Sequence, residues 1–139
     1  MSQNDPYELA YQIDRLMRRM NAGLERRAPR FDPERVGPIG GMILLTIAEL
    51  QPVAMQHVAD VMARDKAQLS RSISVLERHA LLHRSAHESD KRSSLLSLTE
   101  KGADFVDGLK GSLTDVLGDV LGPLTGTERE QLLGLLKKL

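Results

Sequence analysis

Residues 65–102 read DKAQLSRSISVLERHALLHRSAHESDKRSSLLSLTEKG, and this stretch decides the fold. Its first third predicts a short amphipathic helix. Asp65 stands where a carboxylate accepts the free amides of a first helical turn. At 3.6 residues per turn, Leu69, Ile73, Leu76 and Ala80 share one side, which must be buried. Ala67, Arg71, Ser74 and Arg78 lie opposite, with Gln68 and Ser70 on the flanks. Ala67 permits close approach, Gln68 suits an adenine edge, and Arg71 suits guanine or a phosphate. Taken by itself the helix favours a plainer reading, a solvated polar face on an ordinary amphipathic helix. The residues that follow decide between the two. Leu82 to Ala86 predicts a strand, and His87 to Arg92 forms a polar tip with no apolar residue. Ser93 to Leu98 alternates, with Leu96 and Leu98 on one face and Leu95 and Ser97 on the other. Two strands around a charged tip make a hairpin, or wing. A small helix beside a basic hairpin fits the groove of double-stranded DNA.

The run from Ala59 to Gly102 resembles the winged helix–turn–helix core of MarR-type transcriptional regulators. The likeness rests on the helix ending in Leu76-Glu77, the short apolar strand, and an acidic-x-Arg wing tip matched by Asp90, Lys91 and Arg92. It closes on Leu-Thr-x-x-Gly, matched by Leu98, Thr99 and Gly102. The resemblance implies that the helix at Lys66–His79 enters the major groove. Gln68, Ser70 and Arg71 would then read base edges, with Ala67 and Ser74 also on the DNA-binding face, while Lys66, Arg78 and Lys91 sit on phosphates. Arg92 would anchor the wing at the minor groove or its phosphates, with Asp90 orienting it.

The chain has 139 residues, enough for one domain with a moderate core. No apolar run is long enough to span a bilayer, and the N-terminus MSQNDPYEL has no signal pattern. There are no cysteines, which removes disulfides, thiol redox sensing and thiolate zinc sites. A cytoplasmic protein is the expectation. Net charge is zero, which argues against a nonspecific nucleic-acid binder. Its distribution is uneven: residues 64–92 carry seven basic and four acidic groups, and residues 93–139 five basic and seven acidic. The positive excess sits where the duplex should lie. It is small, so a single subunit should bind weakly and two are needed.

Outside this core, Pro6 to about Arg27 predicts a first helix with a stripe at Leu9, Ile13, Leu16, Met20 and Leu24. Pro29 and Pro33 should break it at Ala28. A second helix spans about Ile39 to Leu50, where Gly40-Gly41 serve close helix packing, since no phosphate-loop pattern follows. Val53-Ala54 predicts a short strand. Met55 to Ala63 predicts the first helix of the motif, with Val58, Val61 and Met62 inward. Thr99 to about Leu121 predicts a long helix with Val106, Leu109, Leu113, Val116 and Val120 on its stripe. Thr127 with Glu130 predicts a capping box for a last, leucine-rich helix.

The predicted fold class is mainly α with a small β wing (α+β). Residues 1–139 form a single MarR-like domain, with the winged core at about 38–98 and dimerisation helices at about 6–28 and 99–139. The terminal helices have no sheet to cover and can bury their stripes against a second copy. The resemblance implies the same homodimer, with two reading helices about 34 Å apart on a palindromic site. It also implies a crevice for a small aromatic ligand, for which Tyr11, Phe31 and Met42 are the candidate border. His79, His83 and His87 recur every fourth residue but fall on a helix end, a strand and a wing, so they diverge. No metal, cofactor or enzymatic constellation is expected. The function expected is a sequence-specific DNA-binding regulator, a repressor released by a small effector. The alternative is a dimeric winged-helix adaptor that binds protein and not DNA.

Overall fold

The computed structural model describes residues 5–86 and 94–139. In chain order it contains α1 (Pro6–Phe31), α2 (Gly37–Leu50), β1 (Val53–Ala54), α3 (Met55–Met62) and α4 (Lys66–Arg78). Then follow β2 (Leu82–Ala86), β3 (Ser94–Leu98), α5 (Glu100–Val120) and α6 (Gly126–Leu136). The three strands form one antiparallel sheet in the order β1-β3-β2. Among the described residues, no helix is long and apolar enough to cross a membrane.

Contacts divide the chain into two units, one of residues 28–110 and one that joins the segment up to Arg27 with residues 111–139. The first is the winged unit. Ile43, Leu44 and Ile47 of α2 and Leu69, Ile73 and Leu76 of α4 are fully buried, with Val58 of α3 and Leu96 of β3. Each such side chain contributes ~1.5–3 kcal/mol on leaving water. A Cβ at Gly40 would lie 3.1 Å from Val36, just before α2, and 3.4 Å from Leu76 of α4, an ordinary contact, so packing against α4 does not itself demand glycine there. In β3 only Leu96 is buried, while Leu95, Ser97 and Leu98 are all half-buried, so burial does not separate the two expected faces; Leu96 pairs across to Val53 on one side and to Arg84 on the other. Gln51 extends this edge, its side-chain oxygen accepting the Leu98 amide at 2.9 Å.

The second unit has a thin core. Gly23, Ser112 and Val116 are its buried residues. A Cβ at Gly23 would meet Val116 Cγ1 at 2.6 Å, so glycine lets α1 and α5 approach here. Arg27 closes this crossing by binding Asp119 at 3.0 Å. The expected α1 stripe is present but uncovered within the chain: Leu9 and Ile13 are exposed, and Leu16, Met20 and Leu24 are half-buried.

Four expectations are corrected. First, α1 does not stop at Arg27 but runs to Phe31 with Pro29 inside it. A proline in the last turn removes a single helix bond, and the Asp32 amide still reaches the Ala28 carbonyl at 2.7 Å. Pro33 then stops the helix by restricting Asp32. Second, Val61 is 55% exposed and Ala59 is buried in its place. The buried arc of α3 runs through Val58, Ala59 and Met62, and Val61 falls beyond its edge. Third, Ala80 does not extend the α4 stripe. It leaves the helix in the left-handed region, at φ 58°, and is exposed. Fourth, the capping box lies two residues earlier than expected. Thr125 Oγ1 accepts the Glu128 amide at 3.2 Å, and Glu128 accepts the Thr125 amide at 2.9 Å.

Candidate nucleic-acid interface

The α3–α4 corner is built without glycine. Ala63 takes the left-handed conformation (φ 51°, ψ 44°) usually left to glycine, and its amide bonds back to α3. Asp65 then caps α4 as expected, its carboxylate accepting the Gln68 amide at 3.2 Å. The cap fixes the first turn of α4, and the burial of Leu69, Ile73 and Leu76 fixes which side faces out. Lys66, Ala67, Gln68, Arg71 and Arg78 are all exposed; Ser70 and Ser74 are half-buried. Ser74 donates its hydroxyl proton to the Ser70 carbonyl at 3.0 Å, so its hydrogen is already committed to the helix.

Charge separates these cations from others nearby. Arg84 of β2 is held by Glu77 at 2.7 Å, and Lys101 of α5 by Glu34. Lys66, Arg71 and Arg78 have no acidic partner among the described residues. The Glu77–Arg84 pair also joins α4 to the first wing strand. Leu76-Glu77 therefore supplies one core residue and one strut. Gln68 and Arg71 rim a hollow of about 310 Å³, which Arg64, Ser72 and Ile39 also line. Arg64 belongs with this surface and was not among the expected site residues. Its position directly before the helix cap was the available signal.

Asp90, Lys91 and Arg92 lie outside the described residues, as does His87. His79 faces Glu34, with Nδ1 3.2 Å from a carboxylate oxygen. Among the described residues no three potential ligands gather at a metal site. Of the three candidate crevice residues, Phe31 lines a cavity of about 230 Å³, packed edge-on against Phe105 with ring centres 5.6 Å apart. Met42 does not line that cavity and is exposed on α2; Tyr11 belongs to the other unit and is also exposed.

Residues 36–102 match the family model of a winged helix DNA-binding domain. The whole chain superposes on wild-type MarR of E. coli with a TM-score of 0.79. The two share 21% identity over 99% of this chain and 98% of that one. The matched region carries the winged helix fold, and the chain has the fold that MarR has. The proteins it resembles include a transcriptional repressor and a protein solved on DNA. The chain is also similar to the protein in the MepR–DNA complex of S. aureus, with a TM-score of 0.76 and 21% identity over 93% of each chain. In sequence it is 24% identical to the HTH-type transcriptional repressor NicR of Pseudomonas putida, over 98% of this chain and 87% of that protein.

Proposed function

We propose that the protein binds a palindromic DNA operator as a homodimer and represses transcription in the cytoplasm. One observation carries this reading: the outward side of α4 offers Lys66, Gln68, Arg71 and Arg78 to solvent with no acidic partner among the described residues. In this reading Gln68, Ser70 and Arg71 read base edges, with Ala67 and Ser74 at the closest approach. Lys66 and Arg78 sit on phosphates, and Arg64 joins them. Lys91 and Arg92 complete the contact from the wing, with Asp90 orienting Arg92.

The homodimer has separate support. Tyr7, Leu9, Ile13 and Met17 of α1 are at least 49% exposed, and Leu133, Leu135 and Leu136 of α6 at least 53%. Apolar surface of this extent on two helices of one unit asks for a covering partner, and a second copy supplies the two-fold symmetry that a palindrome mirrors. A small aromatic effector would release the operator by favouring a dimer with wrongly spaced reading heads. The Phe31–Phe105 cavity is the place in the winged unit with matching chemistry.

The deciding experiment is enrichment of bound duplexes from a random library. A palindrome with half-sites one helical turn apart is expected. Failure to enrich any sequence would move the protein to the adaptor reading.

A further inference from the structure

The turn that follows α4 presents the carbonyls of His79, Ala80 and Leu81. Thr99 and the start of α5 take them. Thr99 Oγ1 donates to the Ala80 carbonyl at 2.6 Å, and the Thr99 amide donates to the Leu81 carbonyl at 3.2 Å. Lys101 Nζ donates to the His79 carbonyl at 2.8 Å. The same ammonium donates to Glu34 Oε1 at 2.5 Å, while Glu34 Oε2 lies 3.2 Å from His79 Nδ1. Glu34 belongs to the α1–α2 loop, whose Asp32 carboxylate accepts the Val36 and Gly37 amides at the head of α2. One carboxylate and one ammonium thus tie the α1–α2 loop and α5 to His79, the residue that caps the reading helix, all within the winged unit.

We propose that Glu34 and Lys101 are positioning residues for DNA recognition, clamping the C-terminal end of α4 so that its outward face meets the duplex at a fixed angle. The inference rests on the regulator reading above. The Lys101 hydrogen bond holds the Glu34 carboxyl below its usual range, so the clamp is charged at neutral pH.

Charge alone and positioning predict opposite results for Glu34. Deleting a negative charge tightens binding to any duplex, whereas loosening the clamp weakens binding to the selected one. The test uses the full chain with Glu34→Gln, Lys101→Met and Lys101→Arg. Affinity is measured on the enriched duplex and on a scrambled one, and hydrogen exchange of the His79, Ala80 and Leu81 amides is followed in the free protein. Glu34→Gln and Lys101→Met should each lower the selected-to-scrambled affinity ratio roughly threefold, the scale of a partly exposed ion pair. Both should speed exchange at those amides by a similar factor, the double variant should be no worse than either single, and Lys101→Arg should retain the wild-type ratio. An unchanged ratio overturns the proposal, whatever the exchange shows. If no duplex is enriched, the regulator reading fails and the recognition role with it, while exchange still reports whether the clamp holds α4.

Discussion

A Cβ atom at position 102 would collide with the carbonyl oxygen of Leu81. The head of α5 can therefore press against the chain leaving α4 only if residue 102 is glycine. Gly102 also donates its amide to the Thr99 hydroxyl at 3.0 Å, so Thr99 and Gly102 act as one joint. Gly102→Ala is expected to cost about 1–3 kcal/mol through forced displacement of packed backbone. Urea unfolding measures this, and a midpoint equal to wild type would show that the joint relaxes freely.

Arg71→Ala is expected to cost ~1–3 kcal/mol on the selected operator if the guanidinium pairs with a base, with a smaller loss on scrambled DNA. Arg64→Ala should weaken both duplexes about equally and make the salt slope shallower by about one. Equal losses on both duplexes for Arg71→Ala would reassign that residue to a phosphate.

The corrected capping box separates two neighbouring threonines. Thr125→Ala should cost ~1 kcal/mol of α6 stability, because it leaves the Glu128 amide without its acceptor. Thr127→Ala should be nearly silent. Hydrogen exchange across α6 reads the difference, and a larger effect at Thr127 would restore the later register.

Glu34 gives a pH dependence with a definite sign. Its folded pKa is lowered, first by the Lys101 hydrogen bond, which outweighs the opposing effect of burial, and with smaller help from the charges of Lys101 and His79. The stability it contributes is present above the ordinary carboxylate pKa, about 4.3. It is lost as pH falls through the lower folded value. Glu34→Gln should therefore destabilise at neutral pH and converge on wild type in acid. Urea midpoints taken from about pH 7 to pH 3 test this, and parallel curves would contradict it.

Gly111 lies within α5, and a Cβ added there would meet nothing within 4 Å outside its own helix. Gly111→Ala should raise stability by up to about 1 kcal/mol. A loss in gel-filtration mass on the same substitution would place Gly111 in the subunit contact.

Much of the winged unit was legible because burial imposes short-range periods. Leu69, Ile73 and Leu76 repeat at helical spacing, Leu96 and Leu98 at strand spacing, and Asp65 stands at the one place where a cap was needed. Ala80 broke the series because the chain turned before its face could be used. Pro29 misled because the rule against proline in helices weakens in the last turn, where one missing bond is tolerable. The choice between Thr125 and Thr127 hung on where the backbone re-enters helical geometry, and each threonine has a glutamate three residues on. Glu34, His79 and Lys101 left no local signal. They are separated by 45 and 22 residues in the chain, and only the tertiary fold brings their charges together.

Ala63 bears on how any signal reaches the DNA. A non-glycine residue held at positive φ sits in a narrow well with few neighbouring conformations. The bend between α3 and α4 therefore behaves as a stiff elbow, and the two helices travel as one rigid bracket. In the proposed dimer, an effector that altered operator affinity would swing that bracket whole, so its influence should register in the distance between brackets and leave the angle within each one unchanged.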